Sequence, residues 1–153
     1  PRCMCGRGPP ADQADRRPTL IAVRMRVDLP DTNVFNVVGG RPFFDALVTR
    51  FYELVAVDEV LRPLYPDDLT ESIHHTAGFL AQFWGGGTAE YSDERGHPRL
   101  RMRHAPFAIG QVERDHWLAH MSQAVRESTA PPDVQARMLE YFEMASTHMI
   151  NRE

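Results

Sequence analysis

The chain has 153 residues, of which 42% are hydrophobic, so it can form one domain with a buried core. Its formal net charge of −4 argues against nonspecific nucleic-acid binding, and its only cysteines, Cys3 and Cys5, lie too close together to staple a secreted fold. It contains no apolar run of the roughly 20 residues that span a membrane, and no apolar centre of a secretory signal. We therefore expect a cytoplasmic protein without a membrane span or a nucleic-acid partner.

Residues 1–32 mix glycine, proline, arginine and aspartate without a sustained period, which predicts a disordered N-terminal tail. An alternative is upstream sequence read through, with the true start near Met25. From residue 33 the apolar residues become periodic. The sequence therefore predicts two regions, a tail over 1–32 and a folded domain over 33–153.

The first long helix is predicted from about Pro42 to Val57, because apolar residues recur there at three- and four-residue intervals. A single turn of helix over residues 58–61 should follow. Pro63 and Pro66 are expected to end that turn, since proline disrupts a helix interior.

Three more long helices complete the predicted domain, which makes its class all-α. The second has Asp68 or Thr70 as its capping residue and stops at the glycines of residues 85–87. The third covers about residues 112–127, and the fourth follows the prolines at 131 and 132.

The stretch between residues 85 and 110 is long for a loop in so small a domain, which is typical of a functional segment. Only a short helix from Pro98 to His104 is predicted within it, ended by Pro106. A histidine on such a last turn suits the single axial ligand of a haem iron. On spacing alone, a surface histidine or one satisfied internally is the more common explanation.

Common enzyme motifs are missing from the sequence. It has no phosphate loop, no dinucleotide fingerprint and no zinc-binding HExxH, and Ser72 beside His74 and His75 lacks a nucleophile elbow. A hydrolase is therefore not expected.

Five stretches carry a family resemblance. They are Phe51-Tyr52, DEVLRPLYP at 58–66, FLAQFWGG at 79–86, ERGHPRLRMRHAPF at 94–107 and ERDHWL at 113–118. In this order, and with nearly unbroken spacing, they resemble the group II truncated haemoglobins of the actinobacterial O type over about residues 34–151.

This resemblance implies a truncated globin, a two-over-two helical sandwich around haem b. His104 would be the metal ligand, binding the haem iron on its proximal side, and Arg103 would contact a haem propionate. The distal residues implied are Tyr52, Tyr65, Ser72, Thr76 and Trp117. Phe79 and Phe83 would pack against the porphyrin edge.

Reversible binding of dioxygen and other diatomic ligands is the implied function, with nitric-oxide detoxification or peroxidase-like chemistry as further reactions of the same site. Those reactions would take electrons from a separate reductase, and a homo-oligomer is the other protein partner left open. The alternatives are a haem-based sensor that signals through the tail and a haem-free helical module that binds a partner.

Tyr52 and Trp117 are candidate site residues even without the resemblance, because each places a polar group in the predicted core. Tyr52 continues the buried ridge of its helix, so its hydroxyl points inward and needs a hydrogen-bond partner, and the Trp117 N–H has the same need. A bound dioxygen is one candidate acceptor, and backbone carbonyls within the core are the other. Thr76 departs from the leucine or glutamine common in the family, which leaves the hydrogen-bond pattern of the pocket open.

The remaining histidines are expected to have no ligand role. His74 and His75 should face solvent, and His116 and His120 should lie on exposed helix faces. His97 and His148 are expected to be structural.

Overall fold

The computed structural model describes residues 33–86, 90–96 and 98–153, and the regular structure of these residues is entirely helical. The predicted tail and His97 lie outside this part of the chain. The helices are α1 (Val34–Val37), α2 (Arg41–Ala56), a 3₁₀ turn (Arg62–Leu64), α3 (Thr70–Phe83), α4 (Glu90–Arg95), α5 (Leu100–His104), α6 (Gln111–Glu127) and α7 (Pro132–His148). Of the helices described, none has the length and apolar character to cross a membrane.

Helix α2 confirms the first predicted helix to within one residue at its C-terminal end. It begins after Gly40, whose φ of 86° places it in the region that favours glycine, and Pro42 lies in its first turn. Its buried face includes Phe44, Val48 and Val55, which lie at helical spacing.

The helical turn predicted at residues 58–61 is present, because the Arg62 amide donates to the carbonyl oxygen of Asp58 at 2.9 Å, and a 3₁₀ turn at Arg62–Leu64 follows it directly. Pro63 lies inside this turn instead of ending it, since the first positions of a helix need no backbone N–H donor. The side chain of Asp58 caps the turn at 58–61. Its Oδ1 accepts hydrogen bonds from the amides of Val60 (2.8 Å) and Leu61 (2.9 Å), which fold residues 58–61 into a tight turn.

Helix α3 begins where its prediction placed it. Asp68 Oδ1 accepts the amide of Thr70 at 2.9 Å, so Asp68 is the capping side chain of the two candidates. The chain leaves the helix through Gly85, which has a φ of 101°.

The stretch between residues 85 and 110 contains more helix than predicted. Helix α5 confirms the short helix that ends at His104, but α4 was not predicted, nor was α1 near the start of the domain. The third and fourth long helices are confirmed as α6 and α7.

Packing joins the long helices in two layers. Helix α2 packs on α3, α6 packs on α7, and α2 also contacts α6, which gives a two-over-two arrangement. The core between them contains the fully buried side chains of Phe44, Phe51, Met121, Met138 and Phe142. This confirms the predicted all-α class and architecture.

Candidate functional site

A cavity of about 370 Å³ lies between the long helices and the segment that contains α4 and α5. Its volume falls within the range typical of small-molecule sites, and its lining is mainly apolar and aromatic. Eight of the nine predicted site residues line it, namely Tyr52, Tyr65, Ser72, Thr76, Phe79, Arg103, His104 and Trp117. Phe83 is not among the lining residues. Its ring is 47% exposed and stacks on the ring of Tyr141, a lining residue, at a centroid distance of 4.2 Å.

His104 is the last residue of α5 and reaches the cavity from the segment that sequence reasoning had singled out. Its Nδ1 is 2.6 Å from the carbonyl oxygen of Leu100, one helical turn earlier. Because a carbonyl oxygen can only accept, Nδ1 carries the proton of the neutral imidazole, which leaves the lone pair on Nε2. The backbone thus fixes both the orientation and the tautomer that a histidine needs to bind a metal through Nε2.

Tyr52 enters the cavity from α2 and is buried. Its hydroxyl is 3.2 Å from Thr76 Oγ1 on α3. Burial raises the pKa of Tyr52, and hydrogen bonds with Thr76 and Ser72 offset part of that increase. The phenol therefore stays neutral at physiological pH and has a proton to donate.

Tyr65 follows the 3₁₀ turn, and its ring meets that of Tyr52 edge to face at 5.4 Å. Burial raises the pKa of Tyr65 well above its usual value, and the neighbouring Tyr52 adds to the increase. The nearby Trp117 indole, whose N–H can only donate, acts in the opposite direction. Two phenols and one indole N–H from three separate elements therefore converge on the cavity.

Trp117 is held in place by its aromatic neighbours. Its ring centroid lies 5.4 Å from that of Phe51 on α2 and 5.8 Å from that of Phe142 on α7. Because both neighbours are fully buried, the indole has little freedom to turn away from the cavity.

Arg103 donates hydrogen bonds to backbone carbonyls of its own segment in this structure. Its Nε donates to the carbonyl oxygen of Pro98 at 2.8 Å, a second guanidinium nitrogen donates to the carbonyl of Arg95, and the guanidinium lies 6.0 Å from the ring centre of Tyr91. These contacts connect α4 to α5 and position Arg103 at the cavity edge.

Comparison with known proteins identifies the fold. The sequence model of the family described as bacterial-like globin matches residues 33–151. The chain belongs to this globin family. A group 2 truncated haemoglobin of Bacillus subtilis (strain 168) is 36% identical over 113 residues, which cover 74% of this chain and 85% of the relative.

Solved haemoglobin structures resemble this globin closely. The haemoglobin of Thermobifida fusca is 46% identical, with a TM-score of 0.75, and the match covers 78% of this chain and 97% of that one. The haemoglobin of Chloroflexus aurantiacus is 45% identical, with a TM-score of 0.76, and the match covers 78% and 98% of the two chains. The family assignment predicted from the sequence is therefore confirmed, and membership implies a haem cofactor.

Arg114 is a cavity residue of the globin that sequence reasoning missed. It precedes Trp117 by three residues on α6, a spacing that puts both side chains on one helix face and could have revealed it. Its terminal nitrogens bind Asp115 and Thr147, both at 2.9 Å, but its Nε is buried and has no hydrogen-bond partner among the described residues. A buried donor without a partner beside a cavity fits a ligand that carries polar groups as well as an apolar body.

Three histidine predictions need correction. His75 lies half-buried in the cavity wall, with Nδ1 3.3 Å from a guanidinium nitrogen of Arg95, whereas His74 is exposed as predicted. His116 and His120 do not simply face solvent. Both contact Asp58, because their face of α6 lies against the turn that follows α2.

Proposed function

We propose that this globin holds haem b through His104 and binds dioxygen reversibly in the cavity. One observation carries the proposal. The cavity brings together an imidazole oriented to bind through Nε2 and three neutral hydrogen-bond donors, Tyr52, Tyr65 and Trp117.

The residues around the cavity suit haem as the cofactor. When bound, haem supplies an iron that takes one protein ligand and a small diatomic ligand. We assign His104 as the protein ligand, and Arg103 and Arg114 as partners for the propionates, since guanidinium groups pair well with carboxylates. Phe79 would contact the porphyrin. Phe83 would not touch the porphyrin but would pack against the ring of Phe79, with the two ring centroids 6.0 Å apart.

The hydrogen-bond donors favour dioxygen over carbon monoxide as the ligand. Dioxygen held in this cavity would carry partial negative charge and would be a good hydrogen-bond acceptor, whereas carbon monoxide would be a poor one. The hydroxyls of Tyr52 and Thr76 can donate to each other or toward the cavity, and the Trp117 N–H can donate to Tyr65 or into the cavity. The network therefore keeps its donors satisfied when no ligand is present and offers them when one arrives.

Redox reactions at the same site would need electrons from outside the chain. The sequence has no dinucleotide fingerprint with which to bind a nicotinamide or flavin donor. We therefore propose that nitric-oxide detoxification or peroxidase-like turnover would require a separate reductase.

Absorption spectroscopy of the purified full-length protein tests this proposal. We expect a Soret band after haem addition, and in the reduced protein a spectral change on exposure to oxygen that reverses when oxygen is removed. A protein that shows no Soret band would be the haem-free helical module. Immediate and irreversible oxidation on first contact with oxygen would contradict reversible binding.

A further inference from the structure

Asp58, His116 and His120 form a cluster outside the haem cavity, which we call the Asp-His-His cluster. One carboxylate oxygen of Asp58, Oδ2, lies 2.8 Å from His116 Nδ1 and 2.6 Å from His120 Nε2. None of the three residues lines the cavity. We propose that the cluster binds a divalent transition-metal ion of the class that prefers imidazole, at a site separate from the haem.

The backbone holds the carboxylate of Asp58 in place. Its Oδ1 accepts the amides of Val60 and Leu61, and its side chain is only 7% exposed. The two carboxylate oxygens of Asp58 therefore have different partners. Oδ1 is hydrogen-bonded to the turn, and Oδ2 faces the two imidazoles. Hydrogen bonds of this kind behind a carboxylate fix a metal ligand before the ion arrives.

The two imidazoles come from one rigid element. His116 and His120 are four residues apart on α6, a helix of 17 residues, and this spacing puts them on the same face. Their side chains are 41% and 22% exposed, so an ion can enter from solvent and water can fill its remaining positions.

The distances require only a small adjustment. The three possible ligand atoms lie within 4.8 Å of one another. Tetrahedral zinc with bonds of about 2.0 to 2.1 Å separates its ligand atoms by roughly 3.3 Å. The contacts of 2.8 Å and 2.6 Å must therefore lengthen by about 0.5 Å and about 0.7 Å. Rotation of the partly exposed imidazoles provides this movement, while Asp58 stays bound to its turn.

The donor set decides which ions fit. Two imidazoles and one carboxylate suit Zn²⁺, Ni²⁺ or Cu²⁺, whereas Mg²⁺ and Ca²⁺ prefer oxygen ligands throughout. A bound ion would connect the turn after α2 to α6, and so would stabilise the folded state in proportion to its binding. The competing interpretation is that both imidazoles only donate hydrogen bonds to Asp58.

Titration with Zn²⁺ separates the two interpretations. The full-length protein, with Cys3→Ser and Cys5→Ser to remove competing thiols, is titrated calorimetrically and melted with and without Zn²⁺. We expect one Zn²⁺ per chain, a higher Tm with the ion, and affinity at least about tenfold weaker in His116→Gln and in His120→Gln. His74→Gln, which changes an exposed histidine elsewhere, is the matched control and should bind like the parent.

Glutamine keeps an N–H donor for Asp58, so these variants preserve the hydrogen bonds of the competing interpretation. A measurement without substitutions accompanies them: Zn²⁺ should protect His116 and His120, but not His74, from modification by diethyl pyrocarbonate. The proposal is overturned if Zn²⁺ does not bind at millimolar concentration, or if it binds all variants equally and protects none of the cluster. Neither readout depends on oxygen binding, so failure here is distinct from failure of the proposed function.

Discussion

At the scale of single residues, the donors of the cavity have alternative partners within hydrogen-bond reach. The Trp117 N–H lies near Tyr65, and the hydroxyls of Tyr52 and Thr76 are 3.2 Å apart, so these donors are already positioned before a ligand enters. A donor that is already positioned needs little reorganisation when a charged acceptor enters. This arrangement predicts slow release of a ligand that carries negative charge.

Replacement of Trp117 tests this prediction. A hydrogen bond to a charged acceptor contributes roughly 1.5 to 3 kcal/mol, which corresponds to about a tenfold to hundredfold change in rate if it is lost from the bound state alone. Trp117→Phe should therefore release oxygen faster by about that factor in stopped-flow measurements, with a smaller effect on carbon monoxide.

Trp84→Phe is the control for Trp117→Phe, because the Trp84 indole is not a lining residue and its buried N–H has no partner among the described residues. It should release oxygen at the wild-type rate. If Trp117→Phe, Tyr65→Phe and their double mutant all release oxygen at that rate, the donors do not hold the ligand.

Tyr65 also predicts a pH dependence of stability. Burial raises the pKa of Tyr65 in the folded state, so its neutral form contributes stability below the unfolded pKa of about 10, and this contribution is lost as the pH rises above that value. The free energy of unfolding of the wild type should fall above about pH 10, and Tyr65→Phe should flatten the fall by up to about 1.4 kcal/mol per pH unit. Urea unfolding on both sides of this pH measures it, and parallel curves for the two proteins would show that Tyr65 ionises equally in both states.

At the scale of elements, the sequence predicted the long helices and α5 but missed two short helices, α1 and α4. The four long helices have apolar faces with a clear period. Helix α4 has no such pattern, and its contacts with α3 explain its presence: the amide and hydroxyl of Ser92 bind the side chain of Gln82, and Tyr91 is buried. Contacts between distant residues cannot be read from a local period.

The same reasoning explains what was missed around the site. Most of the predicted site residues came from motif resemblance and line the cavity, but Asp58 lies 58 and 62 residues from its two histidine partners. No local pattern joins residues so far apart. The exposed positions predicted for His116 and His120 are correct only in part, because both side chains are partly exposed but also contact Asp58 in the turn that follows α2.

The exit from α3 gives a prediction at this scale. Gly85 has a φ of 101°, and a Cβ there would lie 2.4 Å from Asn33 Nδ2. Gly85→Ala should destabilise the protein beyond the roughly 1 to 3 kcal/mol of backbone strain alone, because Asn33 must give up its hydrogen bond to the Gly85 carbonyl.

Gly39→Ala is the matched control for Gly85→Ala. Gly39 has a similar φ of 94°, but a Cβ there meets nothing within 4 Å. Backbone strain alone should therefore lower the stability of Gly39→Ala. Chemical denaturation compares the two variants. Equal destabilisation would show that the contact between Asn33 and Gly85 does not hold α3 to the start of the domain.

At the scale of the whole molecule, the described part of the cavity lining comes from the globin domain. Its lining residues run from Phe51 to Met149. We propose that residues 1–32 are dispensable because they contain too few apolar residues to pack, and their deletion should leave the haem content and the oxygen kinetics unchanged. A clear change in oxygen association or dissociation after deletion would instead support a sensor that signals through this segment.

The most direct test of the whole account is the haem content and ferrous absorption spectrum of His104→Gly. His104 is the lining residue whose Nε2 the backbone leaves able to bind iron, so we predict that the variant loses haem or holds it weakly, with an altered ferrous spectrum. His74→Gly, at an exposed position away from the cavity lining, should match the wild type. Normal haem content together with an unchanged ferrous spectrum in His104→Gly would contradict the account.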